Sequence, residues 1–319
     1  MKAVYYEKYG SLSVLKHGEI NDPKEVLDNE VLIKVNSFSL NPLDYKLRNG
    51  MLKLITFRTF PRTTGSDFSG EVITIGGSVK NFKIGDKVFG FLSQLTSGTS
   101  SEFIKVNQSI LSKIPSNIDI SESASVPLAA LTSYQALAQL AKITKGNKVL
   151  INGASGGTGI FAVQISKLFD ADVTSITSHR NIEWMRNTFL VDNAVDYTHE
   201  NFLDNLKKNE FDVIYDCYGN LSFNKIKDLL KPNGKFITTD PFKIESIVGR
   251  IVSLFSKRKF LSVVVNSNGN DLNIIKKWIE EKKIKIFIDK IFNFSQTHDA
   301  YKYIETQRAK GKIIVRVDV

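Results

Sequence analysis

The stretch Val149–Phe161, VLINGASGGTGIF, decides how the whole chain is read. An apolar strand-forming run enters the turn Gly153-Ala154-Ser155-Gly156-Gly157-Thr158-Gly159, and a helix-forming run leaves it. A glycine turn opening a helix after a strand is the setting of a dinucleotide fingerprint. The fingerprint here is Ala154-x-Gly156-x-x-Gly159, with alanine in place of the first glycine. Gly156 lets the backbone approach a pyrophosphate, and Gly159 lets the helix pack against the strand. The N–H groups of Gly157 and Thr158, with the helix dipole, face an anion. A P-loop is excluded, because no Lys-Ser or Lys-Thr follows the glycines.

Outward from the turn, strands and helices alternate. KVLING, DVTSIT, NAVDY, FDVIYDCY and GKFITTD read as strands. Gly157–Phe169, Ile182–Phe189, Phe202–Lys207 and Phe223–Leu230 read as helices. That alternation predicts a parallel, doubly wound sheet. Before it, about 120 residues are β-rich, with KAVYY, EVLIKV, SGEVITIGG, KIGDKVFGF and SEFIKV bounded by Gly, Asn, Asp or Pro. Residues 94–101 read as a polar, mobile loop. Around Ser121 a helix-forming run opens a new unit. The tail KIIVRVDV is again β-like and is expected to rejoin the first unit. The expected organisation is a β-rich domain over 1–122 and 286–319 and a Rossmann domain over 123–285.

Composition bounds the function. The 319 residues are 42% hydrophobic and 24% charged, as in a globular protein of one large or two ordinary domains. The first residues show no apolar leader, no run is long enough to span a membrane, and the cytoplasm is the expected compartment. Cys217 is the only cysteine, which excludes an intrachain disulfide and a cysteine-built zinc site. The net charge of +10 comes from scattered lysines, and no aromatic and basic platform for nucleic acid is present. No nucleic-acid partner is expected.

Two dehydrogenase types use such a turn. Short-chain dehydrogenases carry it near the N-terminus with a Tyr-x-x-x-Lys downstream, a pattern found nowhere in this chain. The order of NPLDYKLRNG (41–50), PRTTGSDFSGEV (61–72), KIGDKVFG (83–90), PLAALTSYQAL (127–137), the glycine turn and RAKGKIIV (308–315) instead resembles the medium-chain dehydrogenase/reductase superfamily. The set is similar to its zinc-independent, quinone oxidoreductase-like branch and covers essentially the whole chain. The resemblance implies an α/β protein with a GroES-like catalytic domain that precedes and follows the inserted Rossmann domain. It also explains why the glycine turn sits halfway along the chain.

The zinc alcohol dehydrogenases of that superfamily have a cysteine near NPLDY and a histidine in the Gly-His-Glu that corresponds to Gly65-Ser66-Asp67. Neither ligand is present here. The four histidines, His17, His179, His199 and His298, show no ligand spacing, so no metal site is expected.

The cofactor is read from the second strand of the Rossmann unit. An acid about 20 residues past the glycines marks NAD. SITSHRN has none, and Ser178 and Arg180 stand where a 2′-phosphate lies, beside His179. The resemblance adds Tyr197 as a further phosphate contact. NADPH is therefore expected. Lys312 is a candidate for the cofactor phosphates. The resemblance also implies Thr132, Val264 and Val265 as nicotinamide neighbours, and the 41–46 segment as substrate-lining.

Hydride transfer needs alignment and stabilisation of negative charge on the acceptor oxygen. Asn41 is expected to donate an amide hydrogen bond or to hold the turn. Tyr45 is expected to offer its hydroxyl, and Lys46 positive charge; each has the alternative of a purely structural role. Asp44 reads as a helix cap. The expected substrate is a quinone or an α,β-unsaturated carbonyl. A cofactor-binding protein acting through a partner or RNA remains the alternative of a different class.

The segment 242–261 places Ile244, Ile247, Val248, Ile251, Val252 and Phe255 at helical spacing, beside Arg250 and Lys257-Arg258-Lys259. Its expected role is a crossover helix packed on its own domain or against a homodimer partner. A membrane-surface role is the alternative.

Overall fold

The computed structural model describes the chain except residues 24, 52, 54–59, 94–97, 242 and 318–319. Part of the expected 94–101 loop, and Phe242 of the 242–261 segment, therefore lie outside the described residues. Two units form: Met1–Leu131 with Ser267–Val319, and Thr132–Asn266.

The first unit is built on the strand Glu30–Leu40, where Val31, Ile33 and Val35 are buried and Lys34 is exposed. That two-residue period faces one side to a core holding Phe38, Phe68, Val72, Val88 and Tyr301. The central sheet runs Ile288–Asn293, Lys312–Arg316, Glu30–Leu40, Asp67–Ile75, Lys87–Phe91, Leu111–Lys113. Phe103–Asn107 pairs with the first half of Glu30–Leu40, and the tail strand pairs with the second half, Ile313 opposite Leu40. The tail thus rejoins the first unit, as expected. A smaller sheet joins Lys16–Glu19, Lys2–Tyr6 and Arg62–Thr63.

The second unit is a six-stranded parallel sheet. Its order is Asn193–Asp196, Asp172–Thr177, Lys148–Asn152, Phe211–Asp216, Leu230–Thr238, Lys259–Ser262. The chain winds outward from Lys148–Asn152 in one direction and then restarts on its other side at Phe211–Asp216. The glycine turn therefore leaves the sheet at its topological switch point, where ligands of open α/β sheets bind.

Three expectations are corrected. The boundaries fall at 131/132 and 266/267 rather than 122/123 and 285/286. The helix Gly269–Glu280 packs on the first unit: Ser112 donates to Asn273 at 2.7 Å and Asn117 to the Ile279 carbonyl at 2.9 Å. At the other boundary, the backbone N–H of Leu128 is bonded to Asp67 at 2.6 Å, which keeps the start of that helix with the first unit. Residues 202–207 form turns, not a helix. Left-handed Asn201 and Asn209 bracket too short a span to repay nucleation, and Phe202, Leu203 and Leu206 pack directly on the core. Finally, the 242–261 segment is a helix only over Ile244–Leu254, and Lys259–Ser262 is an edge strand.

Candidate active site

In the first unit, three strand ends meet. Ser39 lies opposite Asp67 in one strand pair, and Ile313 lies opposite Leu40 in the next. This register brings Asn41, Asp67 and Lys312 together from distant parts of the chain. Asp67 Oδ2 accepts from Ser39 Oγ at 2.6 Å, Asn41 Nδ2 at 2.9 Å and Lys312 Nζ at 3.1 Å. Lys312 Nζ also donates to Asn41 Oδ1 at 2.6 Å. Ser39, Asn41, Asp67 and Lys312 are all buried. A buried charge needs such a full set of partners, because each ion has left water.

Lys312 has other partners than the expected phosphates. Expected at the cofactor phosphates, its ammonium is spent inside the first unit on Asp67, Asn41 and the Leu40 carbonyl. Both ends of the Asn41 amide are likewise engaged, which is the turn-holding role.

Asn41 opens the helix Pro42–Arg48 with a capping box. The Asn41 backbone N–H donates to Asp44 Oδ2 at 2.7 Å, and Ser66 Oγ donates to Asp44 Oδ1 at 2.7 Å. Asp44 is the expected cap. Burial pushes its carboxyl up to about 7, against the pull of the bonds from Ser66 and Asn41; the nearby Asp67 adds to the rise. Tyr45 is buried in the first unit's core, and its hydroxyl accepts from Gln307 Nε2 at 3.5 Å. Lys46 is half-buried.

The sequence carries no local signal for what anchors this helix at its far end. Arg48 is fully buried, donates to Glu305 at 2.6 Å and to the Gly10 carbonyl, and lies 5.6 Å from the Tyr301 ring centre. Tyr301 in turn bonds Thr64 at 2.7 Å.

In the second unit, the turn after Lys148–Asn152 opens the helix Gly157–Leu168. Gly159 touches the turn so closely that an added Cβ falls 2.1 Å from the Gly153 carbonyl oxygen. At Gly156 the nearest atom to an added Cβ is the same oxygen at 3.4 Å, so this side of the turn is open. The N–H groups of Gly157 and Thr158 belong to the first helical turn, which has no intrahelical acceptors for them. An open glycine face with such N–H groups fits a dinucleotide pyrophosphate.

Ser155 is held from the second strand. Its Oγ accepts from Thr177 Oγ1 at 2.8 Å and from Asn181 Nδ2 at 3.0 Å. Asn181 was not singled out by any motif; it buries its amide to tie the glycine turn to the Ser178–Asn181 corner. Ala154 is fully buried beneath the turn. Ser178 is half-buried, Arg180 is exposed, and Tyr197 is half-exposed. Thr132 is buried and Val265 half-buried, while Val264 is exposed.

The parallel pairing sets Asp196 beside Thr177, so an acid does stand near the end of the second strand. It is already engaged. Asp196 Oδ1 accepts from the Thr198 N–H at 2.9 Å and its hydroxyl at 2.7 Å. Asp196 Oδ2 faces His179 Nδ1 at 3.1 Å and His199 Nε2 at 3.5 Å. Despite the cost of partial desolvation, these bonds hold the Asp196 carboxyl below its ordinary range. The sequence shows no ligand spacing among the histidines, yet the fold brings the ligand atoms of His179, Asp196 and His199 within 4.8 Å of one another.

Comparison with known proteins agrees with this fold. Residues 27–116 match the alcohol dehydrogenase GroES-like domain, and residues 191–315 match a model described as zinc-binding dehydrogenase. The chloroplast envelope quinone oxidoreductase homolog of Arabidopsis thaliana is 33% identical over 325 residues, covering 99% of this chain and 98% of that protein. The NADPH-dependent alkenal/one oxidoreductase of the same plant is 32% identical over 99% of this chain and 79% of its own length. The quinone oxidoreductase structure from Coxiella burnetii superposes with a TM-score of 0.92 at 30% identity, covering 100% of this chain and 99% of that one. The fold and these matches define a medium-chain dehydrogenase/reductase. Within that superfamily, the chain belongs to the quinone oxidoreductase-like family.

Zinc does not fit the Asn41–Ser66–Asp67 position. The donors there are an amide, a hydroxyl already bonded to Asp44, and a carboxylate carrying the Lys312 ammonium at 3.1 Å. A second cation beside that ammonium meets repulsion, and neither an imidazole nor a thiolate is present to ligate it.

Proposed function

We propose that this chain is an NADPH-dependent reductase that passes a hydride to quinones or α,β-unsaturated carbonyls, with no metal at the hydride-transfer site. The observation that carries this reading is the Lys312 ammonium on Asp67, next to Ser66, the residue that corresponds to the histidine ligand of zinc relatives. The names of two relatives, a quinone oxidoreductase and an NADPH-dependent alkenal/one oxidoreductase, support the acceptor class.

When bound, the nicotinamide supplies the hydride. The chain's own groups bind and orient. The N–H groups of Gly157 and Thr158 hold the pyrophosphate at the open face of Gly156. Ser178, Arg180 and Tyr197 meet the 2′-phosphate. Asp196 offers little to the ribose hydroxyls of NADH, because its two oxygens are already bonded to Thr198 and the imidazoles. Asp67, Asn41 and Lys312 act by holding the 39–46 segment in place, so that Tyr45 and Lys46 keep their positions.

The test is an acceptor panel of quinones and enones with NADPH and NADH, run beside Arg180→Ala. NADPH-linked turnover of at least one acceptor class is expected. A charge-assisted bond is worth about 1.5–3 kcal/mol, so Arg180→Ala should weaken NADPH binding roughly 10–150-fold and leave NADH nearly unchanged. No turnover with any acceptor, or a wild-type preference for NADH, overturns the reading.

A further inference from the structure

The helix Ile244–Leu254 faces the wrong way for a helix that packs on its own domain. A surface helix normally turns its apolar stripe to the core. Here the buried residues are the small ones, Ser246 and Gly249. Gly249 lies so close to the edge strand that an added Cβ falls 2.6 Å from the Phe260 ring. The bulky side chains point out: Ile244, Ile247, Val248, Ile251, Leu254 and Phe255 are between 46% and 89% exposed. At about 100° per residue they share an arc of roughly 120°. Six large apolar side chains on one outward stripe form the kind of patch that marks an interaction site.

The charges around the stripe select its occupant. Lys243, Arg250 and Lys257 are exposed on the segment that carries it; Lys243 lies 3.7 Å from Asp240, and Glu245 is the one acid between residues 243 and 257. Arg258 is half-buried, 3.3 Å from Asp228. A second copy brings the same net positive charge to the contact. A bilayer with anionic headgroups accepts the apolar stripe and neutralises the rim together. The net charge of +10 acts in the same direction.

We infer that the outward face of the helix Ile244–Leu254, with Phe255, is a docking surface for anionic lipid bilayers. The helix lies in the headgroup plane; no described helix is long and apolar enough to cross a membrane. If the proposed quinone chemistry holds, docking brings the enzyme to the phase in which lipophilic quinones dissolve. Vesicle binding is measured without turnover, so the two readings fail separately.

The experiment is flotation of the full chain with phosphatidylcholine vesicles, with and without phosphatidylglycerol. The wild type should float with the anionic vesicles and much less with the neutral ones. Ile251→Glu/Phe255→Glu changes only exposed positions and should lower partitioning at least about tenfold while leaving the thermal melt intact. Lys257→Ala should lower it by about fivefold on anionic vesicles, since a lysine is worth about 1 kcal/mol there. Leu190→Glu, at an exposed apolar residue elsewhere, should bind like wild type. Absence of wild-type flotation on anionic vesicles, or undiminished flotation of Ile251→Glu/Phe255→Glu, overturns the inference. So does a lipid-free dimer that this variant dissociates, since the occupant is then a second copy.

Discussion

The Lys312 ammonium stands 3.1 Å from the Asp67 carboxylate, across 245 residues of chain, with neither side chain more than 4% exposed. The pair ties the returning tail strand to the strand Asp67–Ile75 of the same sheet, next to Ser66, which corresponds to the histidine ligand of zinc relatives.

Removing one partner of a buried ion pair leaves the other charge stranded, at about 3–5 kcal/mol. Lys312→Met should therefore lose stability of that order in urea unfolding. NADPH affinity of the folded protein should be unchanged, since Lys312 is committed to Asp67 and Asn41. A loss below about 1 kcal/mol, or a selective loss of NADPH over NADH, contradicts this placement.

Asp44 makes stability depend on pH in an unusual direction. Burial raises its carboxyl from 3.8 to about 7 in the native state. The native state thus holds that proton where the unfolded chain has released it, so stability falls as pH rises from 3.8 through about 7. Asp44→Asn should flatten this part of the profile in urea titrations across that range. An identical slope in the variant would assign the dependence to other groups.

The two glycines of the turn should behave differently. Gly159→Ala places a Cβ 2.1 Å from the Gly153 oxygen, so the helix must move, and both stability and cofactor binding should fall. Gly156→Ala meets nothing closer than 3.4 Å and should fold like wild type. Its methyl group instead fills the pyrophosphate face and should weaken NADPH and NADH alike, by about tenfold or more. Thermal melts beside cofactor titrations decide it; unchanged affinity for both cofactors in Gly156→Ala would remove the pyrophosphate from this face.

Chelation should leave kcat unchanged. Asn41, Ser66 and the Lys312-bound Asp67 offer zinc no competent ligand set. The measurement is turnover after exhaustive dialysis against a chelator, with and without added zinc. Activity lost on dialysis and restored by zinc would defeat the metal-free reading.

The glycine turn was legible because its requirement is local. Close approach of helix to strand demands glycine within one turn, and Gly159 shows that contact directly. The long central strands of both units were legible from their two-residue or continuously apolar patterns; the short strands Lys16–Glu19, Arg62–Thr63, Leu111–Lys113 and Lys259–Ser262, and Ile288–Asn293, were not. The segment 202–207 was misread as a helix because its apolar residues anchor turns, a use that periodicity does not separate from a short helix. Asn181 and Arg48 carried no motif, since each works by reaching a partner that only folding brings near.

By itself the sequence determined the two-unit plan, the inserted parallel sheet, the glycine turn between strand and helix and the lack of a cysteine or histidine at the expected zinc positions. The sheet and the turn follow from residue types at short spacing; the two-unit plan and the zinc positions rest on the family resemblance. Tertiary structure alone decided the rest. It drew Lys312 away from the phosphates onto Asp67, because the antiparallel register of the tail strand sets that lysine at the end of the sheet. It gathered His179 and His199 around Asp196, because parallel neighbours align their strand ends. It also turned the apolar stripe of the helix Ile244–Leu254 to solvent. Helical spacing shows that residues share a face, but the direction of that face is set by where Gly249 can approach Phe260.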